Sequence, residues 1–424
     1  MSADLSLHVL VALAVVAVAS HVTGRLVARA GQPPVIGEVH AGILLGPSLL
    51  GKVAPGLENA LFPGSARPAL SVIAQLGVIL YMFVVGLEFE PSSLRRRAPF
   101  VVVSQVSIAV PFVLGCGLAF FLYRDFSPPG VRLLAFALFV GIAMSITAFP
   151  VLARILTDRG LSRSELGVAA LSCAAVDDVM GWCLLAVVVG VARATVSGAL
   201  VSALLAIAFI AVMFLVARPL ANRLAGRRDG DAGVDAIGWS LALMLLSAAT
   251  AEAIGIHAIF GAFIFGAILP ADGALARYLH LNRSPFVTVI FLPAFFALTG
   301  LRTEIGLVST PGQWAVCLLI IALATAGKFG GTFVAARLLG MPRRFAAALG
   351  VLMNTRGLME LVVLNVGLDI GVISPVLFTM MVIMAIVTTA MTGPLLSARA
   401  GSPAASVREG QREDPENRQE RAGA

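Results

Sequence analysis

Most of this chain consists of long apolar stretches separated by short polar gaps. A helix needs about 20 mostly apolar residues to cross a bilayer. Division at the charged and Pro/Gly-rich gaps gives about thirteen stretches: 6–28, 35–51, 69–90, 99–122, 132–156, 164–192, 196–217, 235–253, 256–271, 285–304, 312–338, 343–368 and 373–397. Only 12% of the residues are charged, about half the share in soluble domains. The predicted fold is an all-α polytopic membrane protein with a transmembrane domain over residues 1–400.

The basic residues indicate an orientation in the membrane. Successive gaps between the apolar stretches must lie on alternate sides of the membrane. The gaps on one side contain seventeen arginines, and those on the other side contain six basic residues. Because basic residues accumulate on the cytoplasmic side, we expect the N-terminus outside and the C-terminus in the cytoplasm of the inner (plasma) membrane. This placement accounts for the net charge of +7 without a nucleic-acid partner. The polar segment 401–424 is expected to be a disordered cytoplasmic tail.

Two adjacent carboxylates, Asp177 and Asp178, fall near the middle of the stretch 164–192. A charge at this depth costs about 2.5 kcal/mol or more, and two are hard to explain structurally. Neighbouring helical residues point about 100° apart, so one carboxylate can bind a cation while the other meets a partner. Burial favours the protonated form of a carboxyl group, and a nearby cation favours the ionised form. The pair therefore predicts a site where a proton and a metal ion compete, as antiport requires.

Lys328 is the candidate partner, because it lies near the middle of the stretch 312–338. The chain has one other lysine, Lys52, and every remaining basic side chain is an arginine. A buried lysine can lose its proton, which arginine resists. The alternative is a lysine whose ammonium group extends to the membrane surface.

Two stretches have the features of an interrupted helix. Pro150 removes a backbone donor within the first, and the polar Asn354-Thr-Arg-Gly357 interrupts the second. Such breaks, in corresponding places of two inverted repeats, form ion sites in transporters. These are the fifth and twelfth stretches, each the second of a triplet, and the triplets start on opposite sides of the membrane. Position therefore predicts inverted repeats, with an ion site built from 145–182 and 325–360.

Arg356 and Glu360 lie one helical turn apart in the second interrupted stretch. They can pair with each other, or they can support or gate the broken helix.

Several motifs resemble those of the monovalent cation:proton antiporter family 2, which includes bacterial sodium/proton antiporters, potassium efflux transporters and plant cation/proton exchangers. They occupy 32–48 (QPPVIGEVHAGILLGPS), 76–88 (LGVILYMFVVGLE), 147–154 (TAFPVLAR), 176–179 (VDDV) and 354–357 (NTRG). The resemblance implies a thirteen-helix homodimer with a dimerisation domain, a mobile core domain, two crossed broken helices and elevator-like transport.

The resemblance also assigns roles to single residues. It implies that Asp178 binds the ion, that Asp177 pairs with Lys328, and that Thr147 lines the crossing. The Asp–Asp pair resembles the electrogenic sodium/proton type. The 147–150 and 354–357 motifs are closer to the plant exchangers, several of which favour potassium.

We therefore expect a secondary active antiporter that exchanges Na⁺ or K⁺ for protons. Asp177, Asp178 and Thr147 would form the cation and proton site, Asp178 would hold the transported metal ion, and Arg356 and Glu360 would support the site. No nucleotide-binding loop of the G-x-x-x-x-G-K-[ST] type occurs, and we expect neither enzymatic activity nor a cofactor. The alternatives are a cation channel or ion-sensing membrane protein with the same fold, and a proton-coupled exporter of an organic cation.

Overall fold

A computed structural model describes residues 3–88, 98–161, 164–193, 204–205, 207–225, 234–254, 258–270 and 290–399. Within these ranges the chain is helical and contains no strand. The all-α fold predicted from the sequence is confirmed. The predicted tail, 401–424, lies outside the described residues.

The helices are numbered here in chain order. They are α1 (Ala3–Arg29), α2 (Pro34–Leu45), α3 (Leu50–Val53), α4 (Pro55–Leu61), α5 (Arg67–Glu88), α6 (Ala98–Phe126), α7 (Leu133–Ser145), α8 (Phe149–Asp158), α9 (Glu165–Arg193), α10 (Arg218–Ala225), α11 (Val234–Ile254), α12 (Ala258–Ile268), α13 (Leu292–Leu301), α14 (Pro311–Leu338), α15 (Arg343–Met353), α16 (Leu358–Asp369) and α17 (Pro375–Arg399). A π-helical turn, Met213–Ala217, leads into α10, and a 3₁₀ turn, Ile305–Leu307, lies between α13 and α14.

In the described part of the chain, eight helices are long and apolar enough to cross a membrane. They are Leu5–Arg29, Pro34–Val53, Arg67–Val84, Pro99–Phe126, Glu165–Ala192, Ile237–Ile254, Pro311–Leu338 and Pro375–Leu396. Leu133–Ser145, Ile207–Ala221 and Ala258–Ile268 form shorter apolar helices. The helices follow the predicted stretches, which confirms a multi-pass membrane protein.

Both predicted interruptions divide a helix in two. The first lies between α7 and α8, where Ile146 and Ala148 have extended backbones. Pro150 falls in the first turn of α8, where a missing N–H removes no helical hydrogen bond. The second interruption, at 354–357, separates α15 from α16. The fifth and twelfth stretches are therefore pairs of half-helices.

The helices pack in two groups. The scaffold group comprises α1, α2, α5, α11, α12 and α13, and the core group comprises α6, α7, α8, α9, α14, α15, α16 and α17. Contacts between the groups are fewer than those within them, and they include α13 against α16 and α2 against α17. Both pairs of half-helices belong to the core group.

Glycines allow the scaffold helices to approach closely. A Cβ atom at Gly42 would lie 1.9 Å from the carbonyl oxygen of Ala297, and one at Gly300 would lie 2.3 Å from that of Val39. The backbones of α2 and α13 therefore touch. Such contacts hold membrane helices together because lipid provides no hydrophobic force between them.

We predict that Gly42→Leu destabilises the protein by about 1–3 kcal/mol, the usual cost of overpacking, because the side chain would force α2 away from α13. Unfolding of the purified protein in mixed micelles would measure the loss. Gly117→Leu is the matched control, since no atom lies within 4 Å of a Cβ at that position. An equal loss in both variants would contradict the close-contact explanation.

Candidate functional site

The two helix interruptions lie against each other in the core group. The backbone N–H of Ala148 donates to the carbonyl of Thr355 at 3.1 Å. The hydroxyl of Thr147 donates to the carbonyl of Met353 at 3.0 Å. These bonds join the ends of four half-helices in one buried place, so carbonyl-rich and N–H-rich helix ends meet there. The crossing implied by the resemblance is confirmed.

Arg356 supports the C-terminal end of α7. Its guanidinium group donates to the carbonyl oxygens of Ala143 at 3.2 Å, Met144 at 2.5 Å and Ile146 at 3.0 Å. The last carbonyls of a helix have no partner within the helix, and they carry partial negative charge. A fully buried arginine from the other interrupted helix satisfies them here.

Asp177 is engaged on both carboxylate oxygens. Lys328 Nζ donates to Oδ2 at 2.6 Å, Thr147 Oγ1 donates to the same oxygen at 2.8 Å, and Ser104 Oγ donates to Oδ1. Lys328 Nζ also donates to the carbonyl of Ser145 at 2.5 Å. Lys328 is 0% exposed, so it is an ion-pair partner in this structure and does not extend to the membrane surface.

Asp178 is buried like its neighbour but has different surroundings. It is 2% exposed, and neither carboxylate oxygen has a hydrogen-bond partner among the described residues. The backbone N–H of Phe149, at the start of α8, lies close to it. A helix N-terminus favours a negative charge, but a buried carboxylate without hydrogen bonds remains costly. Its free lone pairs can take up a proton or a cation.

Glu360 lies in the first turn of α16 and is 0% exposed. Its Oε2 atom is 3.5 Å from Arg356 Nη1, so the two side chains form an ion pair between residues one helical turn apart. Neither oxygen of Glu360 accepts a hydrogen bond from the residues described. Arg356 therefore pairs with Glu360 and also donates to the carbonyl end of the interrupted helix α7.

Comparison with known proteins identifies the family. A family model described as "Sodium/hydrogen exchanger, transmembrane" matches residues 12–398. The chain belongs to the sodium/hydrogen exchanger family. A Na(+)/H(+) antiporter, NhaS4 of Synechocystis sp., is 48% identical over 387 residues, which are 90% of this chain and 94% of that protein.

Longer relatives of this exchanger match over part of their length. Cation/H(+) antiporter 17 of Arabidopsis thaliana is 39% identical, with 87% of this chain and 45% of the relative covered. K(+)/H(+) antiporter 1 of Saccharomyces cerevisiae is 34% identical, with 86% and 44% covered. The chain thus spans about half the length of these two relatives.

A solved structure shows the same fold as this exchanger. The sodium proton antiporter MjNhaP1 of Methanocaldococcus jannaschii superimposes with a TM-score of 0.67 at 15% sequence identity. The match covers 94% of this chain and 98% of that one.

Sequence reasoning missed two polar contacts of the candidate site. Ser104 donates to Asp177, and Thr389 bonds both backbone groups of Arg356, accepting from the N–H at 2.9 Å and donating to the carbonyl at 2.8 Å. Polar residues spaced along one face of an apolar stretch, such as Ser104 and Ser107, are the signal that could have revealed such contacts. The sequence alone does not tell which helix that face meets.

We predict that Lys328→Gln costs about 3–5 kcal/mol of stability, because it leaves Asp177 as an uncompensated buried charge. The double variant Asp177→Asn/Lys328→Gln should lose less, since it leaves no unpaired charge. Unfolding in mixed micelles checks both. Lys52→Gln is the control, because Lys52 is exposed. A double variant no more stable than Lys328→Gln would contradict this account of the ion pair.

Proposed function

We propose that this protein exchanges Na⁺ or K⁺ for protons, and that Asp178 is the carboxylate that carries them in turn. Cation/proton antiport itself follows from membership of the family. The observation that carries the proposal is the contrast within the aspartate pair. Asp177 receives three side-chain hydrogen bonds, whereas the buried Asp178 receives none from the side chains that the structure describes. Asp178 is therefore the carboxylate that can bind a further proton or cation.

Competition at Asp178 provides the coupling. An ionised carboxylate without a partner is costly in a low-dielectric interior, so the site is stable with a proton or with a metal cation. The two cannot share the same lone pairs. The oxygen atoms of Thr147, at the interruption, can complete the surroundings of a hard cation, because such cations prefer oxygen ligands.

Asp177 has a different role in this proposal. Its ion pair with Lys328 stabilises the negative charge of Asp177. The same ammonium group donates to the carbonyl of Ser145, so Lys328 connects α9 to the end of α7. A second proton could load only if Asp177 gave up Lys328. Thr147 joins the crossing to the ion site, since its hydroxyl lies within hydrogen-bond distance of both Asp177 and the carbonyl of Met353.

We propose an elevator-like movement of the core group against the scaffold group. A cavity of about 480 Å³ lies between α5, α13 and α16. Across it, Arg302 and Asp369 form an ion pair of 2.8 Å, and Asn365 donates to Thr299 at 3.0 Å. Near the other end of the helices, Gln32 donates to the carbonyl of Ala390 at 3.1 Å. These polar contacts can exchange partners when one group slides along the other.

The same proposal places the protein in the inner (plasma) membrane as a homodimer, with its N-terminus outside. The distribution of arginines supports the orientation, and the resemblance to family 2 supports the dimer. Transport of this kind requires no cofactor and no catalytic residue, because the bound ions are the substrates.

We expect Asp178→Asn to abolish exchange. Proteoliposomes with an internal pH dye should become alkaline inside when Na⁺ or K⁺ is added to wild-type protein, and the variant should give no response, because an amide neither ionises nor takes up the proton. Li⁺ is included to rank cations by effect. Asp125→Asn, at an exposed carboxylate of α6, is the control and should transport normally.

Other results of this measurement identify the rival functions. No response of folded wild-type protein to any of the three cations would contradict monovalent cation exchange and favour an organic cation. Cation current without proton movement would indicate a channel.

The elevator-like movement predicts that a cross-link between Arg302→Cys and Asp369→Cys stops transport. These positions lie on opposite groups and are in contact, so a short thiol-specific spacer would fix the groups relative to each other. Exchange should return when a reductant cleaves the spacer, and each single cysteine variant should stay active after the same treatment. A cross-linked protein that still transports would show that this interface does not move.

A further inference from the structure

Two half-helices, α7 and α15, end at the crossing with their carbonyl groups. A helix C-terminus carries partial negative charge. At the end of α7, Arg356 donates to three of the last carbonyls, and Lys328 donates to that of Ser145. The negative end of α7 is therefore matched by two cationic side chains of the protein.

The carbonyl end of α15 is bonded by neutral groups instead. The carbonyl of Leu352 accepts from the N–H of Thr355 at 3.1 Å and from its hydroxyl at 2.7 Å. The carbonyl of Met353 lies 3.0 Å from the hydroxyl of Thr147. These groups bring no positive charge, so the partial negative charge of this helix end is available to a cation.

Asn354 adds a buried oxygen to the same end, because it is the residue that directly follows α15. It is 3% exposed, and its side-chain oxygen Oδ1 accepts no hydrogen bond from the residues described. A buried amide oxygen without a partner is costly. Amide and carboxylate oxygens are the ligands that hard cations prefer, so a bound cation would supply the missing partner.

The backbone places Asn354 beside the aspartate pair. The carbonyl before it lies within hydrogen-bond distance of the hydroxyl of Thr147, and the carbonyl of the residue after it accepts from the N–H of Ala148. The hydroxyl of Thr147 is also 2.8 Å from Asp177, and the residue after Ala148 presents its N–H to Asp178. Each neighbour of Asn354 is thus bonded to the segment that contacts the two aspartates.

We propose that Asn354 is a ligand of the transported cation, which binds between Asp178 and the carbonyl end of α15. The inference rests on the proposed function, since it takes Asp178 as the carboxylate that binds the cation. Asp178 supplies the negative charge, Asn354 supplies a neutral oxygen, and the helix end supplies partial negative charge, as half-helix ends do in other transporters. An amide does not take up a proton in this pH range, so Asn354 binds only one of the two substrates.

Asn354→Ala tests the inference through the KM of Na⁺ and K⁺, measured in proteoliposomes over a series of pH values. Because protons compete for Asp178, the KM rises once the pH falls below the value at which protons bind. The variant should raise the KM by about tenfold at every pH, comparable with the loss of one hydrogen bond to a charged group. The pH at which the KM begins to rise should stay the same, because Asp178 is unchanged.

Thr379→Val is the matched control. Thr379 is fully buried, and its hydroxyl also has no hydrogen-bond partner in the described part of the chain. It lies on α17 ten residues before Thr389, which contacts Arg356 at the crossing, and ten helical residues span about 15 Å. The variant therefore removes an oxygen of the same kind away from the site, and its KM should equal that of the wild type.

Asn354→Asp separates the side-chain oxygen from the amide N–H groups, because it keeps the oxygen and removes both donors. At high pH, where protons compete weakly, its KM should be no higher than that of the wild type. A KM raised as in Asn354→Ala would show that Asn354 acts through its N–H groups and would contradict the ligand role. If this variant does not fold, the pH series for Asn354→Ala decides the question.

Thermal unfolding of the purified proteins gives a second measurement, since a bound cation raises the Tm. Asn354→Ala should need about tenfold more Na⁺ or K⁺ than the wild type for the same rise, in line with the weaker binding. An unchanged KM and unchanged stabilisation in Asn354→Ala, or a shift in the pH at which its KM rises, would overturn the inference and leave antiport intact. Absence of any cation-dependent proton flux in the wild type would overturn antiport itself.

Discussion

The carbonyl end of α7 is the constraint on which the proposed ion site depends. A helix that stops in the membrane interior exposes carbonyl oxygens that lipid cannot satisfy. Arg356 and Lys328 satisfy four consecutive carbonyls there, from residue 143 to residue 146. The same two cations then require carboxylates, and Asp177 and Glu360 lie beside them. One interrupted helix thus accounts for four of the five charged side chains that are at most 2% exposed in the described part of the chain.

The fifth charge, Asp178, follows from helix geometry. Consecutive side chains on α9 point about 100° apart, so only one aspartate can face the lysine of α14. The other faces the start of α8, where a helix end attracts negative charge and no described side chain donates to either oxygen. The adjacent pair therefore combines a carboxylate held in an ion pair with one that the proposed function assigns to the transported ions.

Much of this arrangement could be predicted from the sequence, because its cause is local. The apolar stretches, the two interruptions and the aspartate pair are all visible as departures from an apolar background. The pairing of Asp177 with Lys328 came from the resemblance, and the structure contains it. The contacts of Ser104 and Thr389, and the bonds from Arg356 to α7, could not be predicted, because they depend on how distant helices are rotated against each other. Whether a lysine at mid-span is buried or extends to the membrane surface also depends on that rotation.

The bonds that complete α7 join residues far apart in the chain. Lys328 is 183 positions from Ser145, and Arg356 is 210 positions from Ile146. During synthesis, the first half-helix and the aspartate pair enter the membrane long before their cationic partners have been translated. Until then, these groups need water, lipid headgroups or the insertion machinery as temporary partners. Assembly of the ion centre is therefore a late event in biogenesis, and a chain that stops before α14 would leave unneutralised acid groups in the bilayer.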